Sequence, residues 1–308
     1  MSETVVPDSE RNTISGGLVA RLPQLPRDLA QLARFDRPIG WWLLFWPCAF
    51  GTLLGGYGAP WEALAVLLGL YLAGAIAMRG AGCVYNDIVD AKLDASVART
   101  AARPVASGRV SKRTAWIWLV ALSMVGLLVL LQLRWQAQLV ALASLALVAA
   151  YPFMKRITWW PQAWLGMVFN WGLLVSWTQL RLDHWDAIGA IYAGCIAWVI
   201  GYDTIYALQD REDDALVGIR SSALRMGARV HAGIAGFYAL TIALWALGFW
   251  LLRPDPLALL TLLPVAGHLA WQVATLDADD PANPLERFRS NRMAGALMAA
   301  ACFVVGFA

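Results

Sequence analysis

The chain has 308 residues, a formal net charge of +3, and 15% charged against 59% hydrophobic residues. A soluble domain carries about 25% charged residues, and with a mean hydropathy of +0.56 a water-soluble globular fold is excluded. The apolar runs are continuous rather than alternating, which argues against a β-barrel. Several approach the ~20 residues that cross ~30 Å of hydrocarbon, so the composition is that of a multi-span helical membrane protein.

Residues 1 to 30 are polar and mixed in charge, with Pro7, Pro23 and Pro26. They contain no apolar core of a secretory signal and read as a flexible cytosolic start. Leu32 to Arg37 suits a short interfacial helix. Nine spans follow, at about 38–57, 61–84, 113–132, 136–153, 160–179, 187–208, 231–252, 257–274 and 291–308. The fold expected is all-α, a polytopic bundle of about nine transmembrane helices around a central cavity. Many of the 17 Trp residues stand near span ends (Trp41, Trp42, Trp135, Trp159, Trp160, Trp185), which suits an interfacial aromatic belt. Cys48, Cys83, Cys195 and Cys302 are isolated in apolar segments, a pattern that fits neither a disulfide framework nor a zinc site. His184, His231 and His268 are scattered and read as structural or interfacial.

The basic residues orient the spans. With the N-terminus inside, 21 of the 24 Lys and Arg fall on the inner side, and only Arg134, Arg181 and Arg253 fall outside. This split supports both the span count and the orientation, and it puts two acidic stretches on one cytoplasmic face.

The first acidic stretch is Asn86-Asp87-Ile88-Val89-Asp90-Ala91-Lys92-Leu93-Asp94, after the second span. In a helix, Asn86, Asp90 and Asp94 drift by only about 80° around the axis and form one stripe, with Asp87 beside it. Close, partly dehydrated carboxylates repel unless a cation neutralises them. By itself the stretch fits either a Mg²⁺ site or a solvated helix end.

A second stretch echoes it after the sixth span: Asp203-Thr204-Ile205-Tyr206-Ala207-Leu208-Gln209-Asp210-Arg211-Glu212-Asp213-Asp214. Asp210 and Asp214 repeat the spacing of Asp90 and Asp94, 120 residues on, with four spans between. Each stretch precedes an Arg-bearing segment ending in small residues, Arg103 to Gly108 and Gly218 to Ser222. This suggests a parallel repeat. Two carboxylate pairs can hold two Mg²⁺ ions that bridge one diphosphate, while arginines take the remaining phosphate oxygens. Such a site stabilises a diphosphate leaving group, and a surrounding membrane bundle keeps the resulting allylic cation from water. There is no GxxxxGK[ST] phosphate loop, and nothing points to nucleic acid.

These motifs resemble those of the UbiA-type intramembrane prenyltransferases, and most closely the bacterial 4-hydroxybenzoate polyprenyltransferases of ubiquinone synthesis. The likeness covers about residues 30 to 230. Asn86-Asp87-x-x-Asp90-x-x-x-Asp94 looks like the family's first aspartate-rich motif, and the run from Asp203 to Asp214 looks like the second. Three stretches narrow the subfamily: Arg34-Phe35-Asp36-Arg37-Pro38-Ile39-Gly40 with Leu43 to Pro47, Arg79-Gly80-Ala81-Gly82-Cys83, and Tyr151 to Arg156 with Pro161-Gln162-x-x-Leu165-Gly166. Arg37 and Arg220 stand where Lys is common.

The resemblance implies that residues 31–308 form an intramembrane prenyltransferase domain in a bacterial inner membrane, with its active-site loops cytoplasmic. It implies polyprenyl diphosphate and 4-hydroxybenzoate as substrates and Mg²⁺ as cofactor. Asn86, Asp90, Asp210 and Asp214 would hold the metal, with Asp87 and Asp94 as supporting ligands or their neighbours. Arg79, Arg103, Lys155 and Arg220 would bind the diphosphate, and Arg34 either the aromatic carboxylate or a phosphate. Asp203 and Tyr206 would orient the acceptor or the metal cluster. Other acceptors (homogentisate, a dihydroxynaphthoate, a porphyrin, a lipid phosphate) stay open, as does a divalent-cation transporter. A transporter places ionisable groups in mid-span, whereas these acids lie at span ends beside arginines.

Overall fold

The computed structural model describes residues 18–96, 100–210, 220–278, 280 and 282–307. Among them every regular element is helical. A 3₁₀ turn at Leu18–Arg21 leads to α1 (Gln24–Leu32), α2 (Ile39–Gly55), α3 (Trp61–Ser96), α4 (Lys112–Leu130), α5 (Trp135–Ile157), α6 (Pro161–Leu180) and α7 (Trp185–Ala207). A 3₁₀ turn at Leu208–Asp210 ends α7, and α8 (Ser222–Met226), α9 (Val230–Leu252), α10 (Pro256–Leu260), α11 (Leu263–Ala274) and α12 (Asn283–Phe307) complete the chain.

Each of the nine expected spans is met by helix. Seven helical stretches are long and apolar enough to cross a membrane, and α2 is a shorter apolar helix of 17 residues. α6 has the length, 20 residues, but carries Gln162, Asn170, Ser176, Thr178 and Gln179 and is more polar. Four boundaries differ from expectation. The N-terminal helix is α1, which ends where a helix at Leu32 to Arg37 was expected to begin, so residues read as a flexible start are helical from Gln24. α3 does not stop near residue 84; it continues through the acidic motif to Ser96. The eighth span is broken at Thr261–Leu262, and α12 begins at Asn283 rather than near residue 291.

The length of α3 explains its function as a platform. Thirty-six residues make a rod of about 54 Å at 1.5 Å per residue. About 20 residues cross the hydrocarbon, so the C-terminal part, with Asn86 to Asp94, has helix to spare beyond the core.

The chain divides into two compact units. Unit 1 holds residues 1–41 and 70–132; unit 2 holds 42–69 and 133–308. The core of unit 1 joins Leu32 and Ala33 to Ala81, Val84, Ile88 and Ala91 of α3, Val105 and Val110 of the following loop, and Ala115 and Leu122 of α4. The α3 positions recur at helical spacing, so one face of the helix is apolar while the adjacent face carries the acids. Ser111 caps α4 by accepting from the Thr114 amide at 3.1 Å.

In unit 2, α7 is the central helix, buried on most of its faces from Ala187 to Ala207. α9 packs along it. Small residues permit that approach: a Cβ at Gly201 would lie 2.3 Å from the Tyr238 ring, and one at Gly248 the same distance from Ile191. A buried polar chain also ties three helices to α7. Trp198 Nε1 donates to Asn291 at 2.8 Å, Asn291 donates to Gln272 at 3.4 Å, and Tyr238 donates to the same Gln272 oxygen at 2.6 Å.

Candidate active site

The acid-bearing face of α3 is built from both sides of unit 1. Asp87, Asp90 and Asp94 are 2%, 1% and 5% exposed, which rules out a solvated helix end. Carboxylates reach such burial only with partners. One terminal nitrogen of Arg34, Nη2, lies 3.1 Å from both oxygens of Asp87. Nη1 of Arg103 lies 3.4 Å from Asp87 and 2.9 Å from Asp94. Asp87 and Asp94 are seven residues apart, two turns along one face, so a single guanidinium spans them. The Asn86 Oδ1 is buried and has no hydrogen-bond partner among the described residues.

Arg34 is held in an uncommon backbone conformation. Its φ is +57°, in the left-handed region where glycine is customary. Its amide donates to Gln31 O at 3.0 Å and the Phe35 amide to Ala30 O at 2.9 Å. These two bonds are the Schellman pattern that ends α1. An arginine in the glycine position costs about 1 kcal/mol of backbone strain, and here it points its guanidinium at Asp87. In the connection before α2, burial pushes the Asp36 carboxyl above the usual carboxylate range, and Arg37 and Arg34 pull it part of the way back.

The loop after α3 places Arg103. Thr100 Oγ1 donates to Asp94 O at 2.9 Å, the Arg103 amide to Thr100 O at 2.9 Å, and the Val110 amide to Pro104 O at 2.9 Å. Arg109 donates to Ala102 O at 2.9 Å and its other terminal nitrogen lies 3.4 Å from Asp28, a buried acid of α1. Sequence reading passed over Asp28 and Arg109. They are 81 positions apart, and neither belongs to an acidic run.

Arg79 stands two turns before Asn86 on the same stripe. Its Nη1 contacts the Cys83 sulfur. A Cβ at Gly40 would lie 2.7 Å from Arg79 Nε, so the glycine of Arg37-Pro38-Ile39-Gly40 makes room for this guanidinium. Unit 1 thus brings Arg34, Arg79, Arg103, Asn86, Asp87, Asp90 and Asp94 onto one helix face and its borders.

In unit 2, Asp203 and Tyr206 lie in the last turns of α7, both partly exposed. The Tyr206 ring packs on Phe288 of α12, with centroids 4.6 Å apart. The same Phe288 meets Tyr202. Arg220 donates from Nη1 to Ile157 O at 2.8 Å and sits over the Trp159 ring at 5.4 Å. It is therefore tethered at the C-terminal end of α5, two residues from Lys155 along the chain. Asp210 ends the 3₁₀ turn after α7; its side chain and that of Lys155 lie outside the described residues, as does all of Asp214. Thr204 at the end of α7 is bonded to Ser222 of α8 at 2.5 Å, and the Ser222 amide donates to Gln162 at 3.2 Å. This staple joins the two sides of the second motif and was not foreseen.

The oxygen set on α3 fits a magnesium ion. Mg²⁺ takes oxygen ligands, commonly one or two carboxylates completed by substrate phosphates. A buried amide oxygen with no partner, followed by carboxylates one and two turns on, supplies that kind of ligand. Among the described residues, no three His, Cys, Asp or Glu side chains converge as a closed cage.

Comparison with known proteins places this geometry in context. The family model described as "UbiA prenyltransferase family" matches residues 44–305. The chain is 41% identical to the mitochondrial 4-hydroxybenzoate polyprenyltransferase of Drosophila pseudoobscura pseudoobscura, over 92% of this chain and 71% of that protein. A UbiA homologue from Aeropyrum pernix K1, solved in apo form, superposes with a TM-score of 0.69 at 26% identity, covering 85% of this chain and 97% of the other. A UbiA homologue from Archaeoglobus fulgidus, solved with GPP and Mg²⁺, superposes with a TM-score of 0.64 at 19% identity, over 91% of this chain and 99% of the other.

Proposed function

The chain belongs to the UbiA prenyltransferase family, and we infer from that premise that it is a 4-hydroxybenzoate polyprenyltransferase of ubiquinone biosynthesis. The observation that carries the reading is the match, over 92% of this chain and 71% of the relative, to a protein with that named activity. The two acidic motifs, present in full, supply the means.

The reaction joins the allylic carbon of a polyprenyl diphosphate to the ring carbon of 4-hydroxybenzoate ortho to the hydroxyl. The C–O bond of the donor breaks and its electron pair leaves with the diphosphate. The ring carbon then supplies the pair for the new C–C bond, and loss of the ring proton restores aromaticity. Asn86, Asp90, Asp94, Asp210 and Asp214 would hold Mg²⁺, which when bound neutralises diphosphate oxygens as negative charge builds on them. Arg79, Arg103, Lys155 and Arg220 bind the phosphate oxygens. Guanidiniums suit this role because their donors form a rigid fork. Asp87, with Arg34 against both its oxygens, orients the arginines and supports the metal ligands. Arg34 takes the carboxylate of the acceptor or a phosphate, and Asp203 and Tyr206 orient the acceptor ring. The protein is multi-pass. The excess of inner-side basic residues supports cytoplasmic active-site loops, and the likeness to bacterial enzymes supports a bacterial plasma membrane; the Drosophila relative is mitochondrial.

Purified full-length protein in detergent, given geranyl diphosphate, Mg²⁺ and a panel of aromatic acceptors, is expected to yield prenylated 4-hydroxybenzoate by mass. Product from homogentisate or a naphthoate and none from 4-hydroxybenzoate would overturn the acceptor. No product from any acceptor, with Mg²⁺ flux in liposomes, would overturn the enzyme.

A further inference from the structure

We propose that unit 2 carries a second anion site, at the outer end of α7, that takes the phosphate group of an anionic phospholipid or free phosphate. A cavity of about 250 Å³ opens there, lined by Tyr57, Trp177, Arg181, Asp183, His184 and Arg253 among others. α7 starts beside it and ends at the second acidic motif, 23 residues later, a distance of about 35 Å. The cavity is therefore separate from the second acidic motif.

Charge converges on this spot. Arg134, Arg181 and Arg253 are the three basic residues that the charge census leaves on the outer side. Arg134 Nη2 donates to Arg181 O at 3.2 Å, and Arg181 Nε donates to Gly55 O at 3.3 Å. Two acids pair with residues that line the cavity: Asp255 lies 3.6 Å from Arg253, and Asp183 lies 3.9 Å from His184, which leaves Arg181 as the lining arginine without a carboxylate partner among the described residues. Asp186 stands in the first turn of α7. Among the described residues neither Arg134 nor Arg181 has a carboxylate partner, and the buried Nε of Arg134 has no hydrogen-bond partner. Partly buried cations of this kind call for an anion.

The loop from Arg181 to His184 has its backbone acceptors engaged. Its four carbonyls are all occupied by donors from the protein. Arg134 holds that of Arg181, Trp185 Nε1 that of Leu182 at 3.0 Å, Trp177 Nε1 that of Asp183 at 2.9 Å, and the Ile188 amide that of His184 at 3.1 Å. These bonds keep His184 at a φ of +50°. α7 begins there with no side-chain cap, so its amide end adds positive potential. Tyr57 and Trp185 are exposed beside it, as aromatic side chains are at headgroup depth.

The test uses the full-length protein, Arg181→Gln and Arg253→Gln, each checked for monodispersity, so that one variant decides if the other fails to fold. Native mass spectrometry from mixed phosphatidylglycerol and phosphatidylcholine micelles reads retained lipid. Thermal melting in sodium phosphate against sodium chloride of matched ionic strength reads free phosphate. Retention of phosphatidylglycerol over phosphatidylcholine, falling about tenfold in a variant as one charge-assisted bond is lost, supports the site with a lipid as its source. Stabilisation by phosphate in the parent and not in the variant, without lipid preference, supports it with free phosphate as its source. Parent and variants alike in both measurements overturn it. Prenyl transfer is expected to stay at the parental rate in both variants.

Discussion

Asp90 and Asp94 sit within a helix that keeps its form to Ser96, whereas α7 gives up α-helical geometry at Ala207, before Asp210 is reached. The flanks differ in kind as well. The first motif is held by ion pairs, from Arg34 and Arg103 to Asp87 and Asp94. The second is flanked by neutral hydrogen bonds, from Thr204 to Ser222 and from Ser222 to Gln162. Among the described residues, the flanks of two stretches alike in sequence are thus held by different physics. An ion-paired motif responds to any ligand that competes for its arginines, a diphosphate above all. A motif stapled by neutral groups keeps its flanks in place whatever the charge state of the site.

The comparison breaks first at the acids themselves. Asp90→Asn and Asp210→Asn each keep the size of the side chain and remove its charge. Each is expected to lower kcat/KM for prenyl transfer by about a thousandfold or more, the scale of losing a metal-bound electrostatic contribution. Chelation of Mg²⁺ from the parent should do the same and be reversed by adding the ion back. Parental turnover in Asp210→Asn would mean that the second stretch is no counterpart of the first.

The next effect in size belongs to Arg34. Arg34→Gly deletes the guanidinium while giving the φ of +57° to the residue that accepts it best. Turnover is expected to fall about a hundredfold, the scale of one strong charge-assisted contact. Stability in detergent is expected to fall, because the ~1 kcal/mol of backbone strain relieved by glycine is smaller than the cost of leaving the buried Asp87 without its closest partner. A rise in KM confined to 4-hydroxybenzoate assigns Arg34 to the acceptor carboxylate, and one confined to the diphosphate assigns it to phosphate. If turnover stays parental, the arginine is merely an unusual helix stop.

Much of this was legible in the residue order, for identifiable reasons. Span positions follow from continuous apolar runs, which the helices meet. The acidic stripe is legible because two acids and an amide at helical spacing fall on one face, with a third acid beside them. The end of α3 is not legible, because i, i+4 acids look the same on a solvated helix end as on a buried platform; only the core positions Ile88 and Ala91 separate the two. Arg34 meets Asp87 across 53 positions, and Arg220 meets Ile157 across 63. Local spacing carries no trace of such contacts. The left-handed turn at Arg34 was hidden for the opposite reason: a glycine there would have announced the helix end.

Gly40 tests how closely the ion-paired side is fitted. In Gly40→Ala the new Cβ would lie 2.7 Å from Arg79 Nε, so the guanidinium must shift. Turnover is expected to fall about tenfold, as for displacement of a positioned charge by a fraction of an ångström. Gly82→Ala, in the same stretch of α3, meets nothing within 4 Å and serves as the matched control; it is expected to retain activity and gain up to about 1 kcal/mol of helix stability. Equal activity in the two variants would show that Arg79 needs no fixed place.

The smallest effect is expected at the neutral staple. Thr204→Val keeps the shape of a fully buried side chain and removes the hydroxyl that meets Ser222 at 2.5 Å. Ser222, also fully buried, loses that partner, at an expected cost of about 1–2 kcal/mol. Because both groups are neutral, the loss measured by denaturation in detergent should be the same at low and high salt. The Mg²⁺ concentration for half-maximal turnover should move less than in Arg103→Gln, which breaks the ion pairs to Asp87 and Asp94. A loss at Thr204 that grows or shrinks with salt, or a larger shift in Mg²⁺ dependence than Arg103→Gln gives, would mean that the second motif is also assembled by charge, and the contrast between the two would fail.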